Sequence, residues 1–369
     1  MPAVDTPNAQ AAASDITIDL PLFDISSDQP QLGRRLVEAA ARSGFLWIVG
    51  SPASDELKGT YPLNEKDVDN MFAISKEFFF QTPPEEKARC ALKDNKGYLG
   101  MHQENLDPAK HRRGDFKEAF NLVEAVNDKW SQPMPETLLR HEDELKDFQA
   151  RCRQIQNRLF ELLAEGLELP EPKWLSKRHT CDNLRLLYYP ELPPNTDYSQ
   201  QSDIRAGAHS DYGSLTLLFQ KASQPGLEIQ LPDGTWAAVP IFPPNYHSTT
   251  FPPIVVNVGD LLENWTNGLL RSTIHRVILP GPEKADEYNA EARFSIAVFI
   301  DADPDVSLGS MPSPIVAARA AAFSQQQVGH GGGIGNAEVL RTMTAGEYLE
   351  NRLKATYGAF YKPTSGIAL

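Results

Sequence analysis

The stretch "GAHSDYGSLTLLFQ", residues 207–220, places His209 and Asp211 two apart, just ahead of an apolar run. Side chains at i and i+2 of a strand point to one face. On a face turned into the fold, an unpaired carboxylate is costly. Either the pair marks a solvated strand end, or something cationic sits between the two side chains. The surrounding sequence bears on both readings.

From about residue 183 onward the pattern is that of short strands, at 183–189, 214–219, 227–231, 235–239, 254–258, 275–279 and 293–300. Turn sequences separate them, including "PDG" (232–234) and "NG" (267–268). Seven short strands in series predict a sandwich, jelly roll or barrel. Upstream the period is mostly helical. "QLGRRLVEAAARSG" (31–44) spaces Leu32, Leu36 and Ala40 along one face and stops at Gly44. Residues 65–87 read as an amphipathic helix closed by Pro83 and Pro84. The longest helix is expected over 142–170, where Leu145, Phe148, Cys152, Ile155, Leu159, Leu162 and Leu163 form a core-packing stripe. "ITIDLPLFD" (16–24) predicts a short edge strand ended by proline, and "FLWIVG" (45–50) a buried one. Residues 340–357 return to a helix that can cap the sheet.

This pattern divides the chain into a disordered lead over 1–15 and a single unit over 16–369. Within it, 16–180 is mostly helical, 181–310 is the β core, and 311–369 is a loop followed by the C-terminal helix. "VGHGGGIGN" (328–336) reads as a flexible loop rather than a phosphate loop, since no Gly-Lys-Ser/Thr follows its glycines. There is no internal repeat.

A net charge of −14 has the wrong sign for a nucleic-acid or anionic-membrane surface. The three cysteines, Cys90, Cys152 and Cys181, are too few and too scattered for a disulfide framework or a zinc knuckle, which fits a reducing compartment. The N-terminal lead lacks a basic region followed by an apolar one, and no apolar run approaches bilayer length. A cytoplasmic protein with no membrane, nucleic-acid or obligate protein partner is the expectation.

A second histidine narrows the chemistry. "STIHRVILP" (272–280) places His275 at the start of another apolar run. His-x-Asp followed tens of residues later by His matches a 2-His-1-carboxylate facial triad, which holds Fe(II) and leaves positions open. A zinc site would normally add a fourth ligand or a nearby general-base Glu. Eighteen residues beyond His275, "RFSIAVF" (293–299) sets Arg293 and Ser295 on one strand face. A buried arginine beside a hydroxyl is a clamp for a carboxylate, although a rim arginine paired with a local acid gives the same pattern.

The motifs "HSDYGSLTLLFQ", "GLEIQLPDGTWAAVPI", "IVVNVGDLLENWTNGLLRSTIHRV" and "RFSIAVF" together resemble the Fe(II)/2-oxoglutarate dioxygenases of the isopenicillin N synthase-like superfamily, fungal branch. "SGFLWIVG", "FFFQTPPEEK", "GY" (97–98) and "DFKEAFN" (115–121) are similar to that superfamily's N-terminal signatures, so the resemblance spans roughly 16–360. It implies a mainly β fold with flanking helices, built on a double-stranded β-helix (jelly-roll) core. It also implies His209, Asp211 and His275 as iron ligands, with Arg293, Ser295 and Tyr189 holding 2-oxoglutarate. Leu187 stands where many relatives have Asn. The implied reaction uses O₂ and 2-oxoglutarate to oxidise a C–H bond of a small organic metabolite, giving an alcohol, a desaturation or a ring rearrangement, in secondary metabolism.

Arg185, Leu187 and Tyr189 share a strand face, so if Tyr189 looks inward Arg185 does too. By comparison with flavonoid-oxidising plant relatives, Arg185, Phe299 and Asp301 are expected to meet substrate. An ordinary structural ion pair is the competing reading for Arg185. "GYLGMHQENLDP" and "DFKEAF" (97–108 and 115–120) are expected to form a lid. The segments 240–253 and 281–292 read as surface loops, which leaves His247 solvated. Three alternatives stay open: an Fe(II) oxidase that uses no 2-oxoglutarate, a non-catalytic binder on the same fold, and a zinc hydrolase.

Overall fold

Strand Arg293–Asp301 shows how the sequence builds the core. Its even positions, Phe294, Ile296, Val298 and Ile300, join a large apolar cluster with the helices, while its odd positions, from Arg293 to Asp301, line a cavity. The alternation of two residue classes along a strand gives a sheet one greasy face and one chemical face. The computed structural model describes residues 16–49, 62–107, 113–191, 204–248, 250–279, 292–320 and 337–357.

Twelve strands are described: β1 (Leu22–Asp24), β2 (Phe45–Val49), β3 (Gly97–Leu99), β4 (Glu118–Val123), β5 (Cys181–Tyr189), β6 (Ala206–His209), β7 (Leu215–Gln220), β8 (Leu227–Gln230), β9 (Trp236–Ala238), β10 (Ile254–Val258), β11 (His275–Val277) and β12 (Arg293–Asp301). Eight of them form one sheet in the order β1-β2-β10-β7-β12-β5-β4-β3, and four form a second in the order β6-β11-β8-β9. All described pairings between these strands are antiparallel except β1 with β2. This is the jelly-roll core with flanking helices.

Helices α1 (Leu32–Ser43), α2 (Glu65–Gln81), α3 (Pro84–Arg89), α4 (Glu136–Leu139) and α5 (Glu142–Gly166) precede the core, and the short α6 (Asp260–Trp265) lies within it. Gly44 ends α1 with φ 68° and its N–H on the Ala40 carbonyl, the stop expected of a glycine there. Asn64 opens α2 through a capping box with Asp67. The buried stripe of α5 includes every residue predicted for it, from Leu145 to Leu163. Phe78, Phe148 and Phe160 are almost wholly inaccessible to solvent. Each such side chain stabilises the fold by about 1.5–3 kcal/mol through burial.

Several boundaries depart from the sequence reading. The helix expected over 65–87 closes at Gln81 ahead of the proline pair, as its prolines indicated, because Thr82 before Pro83 is extended, but Pro84 then opens a second helix, α3; a residue before proline avoids the helical region. The first strand follows Pro21 rather than ending at it, with the Pro21 carbonyl accepting the Trp47 N–H at 2.9 Å. "GYL" and "EAF", expected in a lid, belong instead to β3 and β4 at the edge of the large sheet. The C-terminal helical stretch is divided into Ala337–Leu340 and Ala345–Tyr357. His247 is exposed, as expected. The lead (1–15), the glycine-rich loop (328–336) and nearly all of 281–292 lie outside the described residues.

Candidate metal and cosubstrate site

The pairing of β6 with β11 places His209 directly opposite His275, with ring centroids 4.3 Å apart. Asp211 completes the group: its Oδ1 lies 3.8 Å from His209 Nε2 and 3.7 Å from His275 Nε2. One ligand atom from each residue falls within 4.8 Å of the others. Among the described residues this is the one group of three His, Cys, Asp or Glu side chains close enough to hold a metal ion.

Hydrogen bonds determine which atoms are available. A carbonyl oxygen only accepts, so His209 Nδ1 donates to Gly207 O at 2.7 Å and His275 Nδ1 donates to Thr273 O at 3.0 Å. Each imidazole therefore turns an Nε2 lone pair toward the centre. Asp211 Oδ2 accepts from Thr216 Oγ1 and Asn257 Nδ2, both at 2.6 Å, which leaves Oδ1 facing the histidines. Burial, then the neighbouring His275, lowers the His209 pKa to about 3 despite Asp211, so the ring is neutral, the form that ligates. Burial pushes the other way on Asp211, but the two imidazoles and the two donors hold its pKa below the usual value. Three convergent lone pairs, one of them anionic, suit a hard or borderline divalent cation with open positions. The edge of Phe45 covers His275 at 5.4 Å.

Arg293, 1% exposed, stands opposite Tyr189 in the β12–β5 ladder, with Cζ 5.1 Å from the tyrosine ring centroid. It donates from Nη1 to Ser295 Oγ at 3.2 Å, from Nη2 to Gln220 Oε1 at 3.3 Å and from Nε to Gln224 O at 3.1 Å. Among the described residues no carboxylate pairs with it. Burial lowers its pKa, partly offset by Tyr189. A buried guanidinium held only by neutral acceptors is matched to an incoming carboxylate. Arg293, Ser295 and Tyr189 line the same cavity as His209, Asp211 and His275, which holds about 1030 Å³ including its open mouth.

Arg185, Phe299 and Asp301 also line this cavity. Arg185 Nη2 is paired with Glu104 Oε2 at 2.9 Å. Lys117 Nζ joins the same oxygen at 2.6 Å and Asp115 Oδ2 at 2.7 Å, and Asp115 Oδ1 accepts from the Gly207 N–H. This chain of ions runs from Arg185 to the backbone that orients His209. Burial, then Asp211, raises the Asp301 pKa to about 7. Leu187 packs with Ala119, Tyr189, Val277 and Ala297, giving an apolar wall where a polar contact was the family pattern.

Thr216, Asn257, Gln220, Lys117, Glu104 and Asp115 were not singled out from sequence. A signal exists for two of them. Asn257 in "IVVNV" and Thr216 in "LTLLF" are the polar residues in runs that are otherwise apolar, where a polar side chain needs a buried partner.

The family model of the 2OG-Fe(II) oxygenase superfamily matches residues 180–302, and that of the non-haem dioxygenase in morphine synthesis N-terminal region matches 17–139. A Schizosaccharomyces pombe protein, UPF0676 protein C1494.01, is 33% identical over 93% of this chain and 94% of its own. The 2-oxoglutarate-dependent dioxygenase frbA of a Dothideomycetidae fungus is 30% identical over 68% of this chain and 77% of its own. Among solved structures, a full-length Neurospora crassa protein in complex with alpha-KG and thymine superposes with a TM-score of 0.70, at 24% identity, over 94% of this chain and all of that one. The chain belongs to the 2OG-Fe(II) oxygenase superfamily and is a non-haem iron dioxygenase that uses Fe(II), 2-oxoglutarate and O₂. No helix among the described residues is long and apolar enough to cross a membrane.

Proposed function

We propose that His209, Asp211 and His275 are the iron ligands, that Arg293, Ser295 and Tyr189 hold the distal carboxylate of 2-oxoglutarate, and that the substrate is a small organic metabolite oxidised at a C–H bond. The observation that carries this reading is the pairing, in one cavity, of three convergent ligand atoms with a buried arginine that has no carboxylate partner among the described residues. Iron and cosubstrate, when bound, supply O₂ activation coupled to conversion of 2-oxoglutarate to succinate and CO₂.

The protein's own contribution is positioning and exclusion of water. Thr216 and Asn257 fix the free oxygen of Asp211, and the Gly207 and Thr273 carbonyls fix the two imidazole tautomers. Arg293 and Ser295 offer donors to one end of the cosubstrate. Phe299 and Asp301 are substrate contacts beyond the metal, and Asp301 suits a substrate donor, because its carboxyl has no hydrogen-bond partner among the described residues. Arg185, which lines the cavity while paired with Glu104, is a further substrate contact. Fungal relatives named as 2-oxoglutarate-dependent dioxygenases support a place in secondary metabolism, and an acidic chain with no membrane-length helix among the described residues fits the cytoplasm.

The test is anaerobic titration of the metal-free protein with Fe(II), then 2-oxoglutarate, followed by visible absorption. Wild type is expected to develop a weak metal-to-ligand charge-transfer band, and Arg293→Ala to need far more 2-oxoglutarate to reach it. An iron-loaded wild type with no band would remove 2-oxoglutarate from the assignment.

A further inference from the structure

Asp260, the first residue of α6, is wholly buried and receives three side chains from different parts of the chain. Its Oδ2 accepts from Ser210 Oγ at 2.9 Å and pairs with Arg352 Nη2 at 2.8 Å, and its Oδ1 accepts from Ser272 Oγ at 2.7 Å. Its backbone N–H donates to the Asp211 carbonyl at 2.8 Å. Ser210 lies between His209 and Asp211, and Ser272 precedes the Thr273 carbonyl that orients His275. One carboxylate thus ties together both segments that carry the three candidate ligands.

Its third partner comes from elsewhere. Arg352 belongs to the C-terminal helix Ala345–Tyr357, is 4% exposed, and lies over the Tyr212 ring at 4.6 Å. From the same helix, Leu349 and Leu353 line the cavity that holds the candidate ligands. The helix is therefore a wall of the cavity, and its anchor is the carboxylate that braces the metal site. A buried carboxylate keeps its geometry only while its charge is compensated. Removal of the helix would deprive Asp260 of the cation paired with it and loosen its hold on Ser210 and Ser272.

We propose that Asp260 and Arg352 are positioning residues that couple docking of the C-terminal helix to the geometry of the metal site. Metal binding then tightens the helix, and the docked helix tightens metal binding, since the coupling of two equilibria is reciprocal. The inference rests on the assignment of His209, Asp211 and His275 as ligands.

Mn(II), which does not turn over, is the probe, with and without 2-oxoglutarate, in wild type, Arg352→Gln, Arg352→Lys and Lys354→Ala. Arg352→Gln is expected to weaken Mn(II) binding about tenfold, the scale of lost support to metal ligands. Arg352→Lys regains much of the loss. Lys354→Ala, on the exposed side of the same helix, stays within about twofold of wild type, below that scale. Amide exchange of wild type gives a readout independent of the variants: Mn(II) slows exchange across 345–355 while α5 is unchanged. Should Arg352→Gln fail to fold, this exchange result decides alone. Equal Mn(II) affinity in a folded Arg352→Gln, or exchange in the helix indifferent to metal, overturns the coupling and leaves the ligand assignment standing. A wild type that binds no Mn(II) overturns both.

Discussion

Thr216 and Asn257 stand opposite each other on β7 and β10, and both donate at 2.6 Å to one oxygen of Asp211. Two neighbouring strands of the large sheet therefore hold the carboxylate from behind, while the small sheet presents the two histidines from the other side. The site is a seam between sheets. Ladder register places the two histidines and the two donors, while Asp211 itself lies just past the end of β6.

If those two donors set the direction of Oδ1, loss of one weakens the metal without unfolding the protein. Thr216→Val keeps the shape and removes a hydrogen bond to a charged acceptor, a loss of about 1.5–3 kcal/mol. Metal affinity is expected to fall about 10- to 100-fold. Competition of Mn(II) against a chelator measures it. An unchanged affinity would mean that Asn257 alone orients the carboxylate.

Much of this seam was legible in the sequence, for a physical reason. His209, Asp211 and His275 stand beside apolar runs, where charge without a partner is costly, so the residues pointed to a solvated strand end or a bound cation, and the spacing of a facial triad favoured the cation. Arg293 and Ser295 were legible because alternation fixes which residues share a face. Register was not legible, and with it the meeting of Thr216 with Asn257 across two strands. The ion chain from Arg185 through Glu104 and Lys117 was also hidden, since it joins positions 81 and 13 residues apart through tertiary folding alone. The proline pair Pro83 and Pro84 marked where the helix begun at 65 closes, but periodicity could not show that Pro84 opens a second helix, because α3 buries none of its residues.

Arg293 separates function from stability. A buried cation without a carboxylate partner destabilises the free protein, and replacing such charges with apolar groups is often neutral or stabilising. Arg293→Met is expected to leave the melting temperature of the metal-free protein equal to wild type or higher. If Arg293 holds the cosubstrate carboxylate as proposed, the same change removes charge-assisted bonding worth about 1.5–3 kcal/mol per bond, so cosubstrate affinity is expected to fall about tenfold or more. A sharp loss of thermal stability would show instead that Arg293 serves the fold.

His179 gives the fold a measurable response to acid. It is fully buried, donates from Nδ1 to Leu175 O at 2.7 Å, and accepts the Ser214 hydroxyl at Nε2, also at 2.7 Å. Burial lowers its pKa to about 4. Above pH 6.5 the ring is neutral in both folded and unfolded chains and has no effect. Between 6.5 and 4 the unfolded chain takes up a proton that the folded chain refuses, so stability falls as pH falls, by about 3 kcal/mol in all. Asp182, Glu263 and Asp301, raised by burial to about 7, act in the opposite direction over this range. The difference between wild type and His179→Gln in urea unfolding isolates the histidine. That difference is expected to shift against wild type on going from pH 7 to 4, and a flat difference would assign the acid response elsewhere.

Gly33 tests the helical layer independently of the site. A Cβ added there would lie 2.3 Å from the Leu162 carbonyl oxygen and 3.1 Å from Gly166 N, both on α5. Helix propensity alone favours Gly33→Ala by about 1 kcal/mol. Forcing an extra carbon against rigid backbone costs about 1–3 kcal/mol or more, and a main-chain carbonyl cannot swing aside as a side chain does. The clash outweighs the propensity, so α1 and α5 must move apart. Gly33→Ala is expected to lower unfolding free energy by up to about 2 kcal/mol, the net of those two effects. Because α1 and α5 pack on the far side of the sheet from the cavity, cosubstrate affinity of the folded fraction is expected to match wild type. A stabilised Gly33→Ala would mean that the two helices have slack at this crossing.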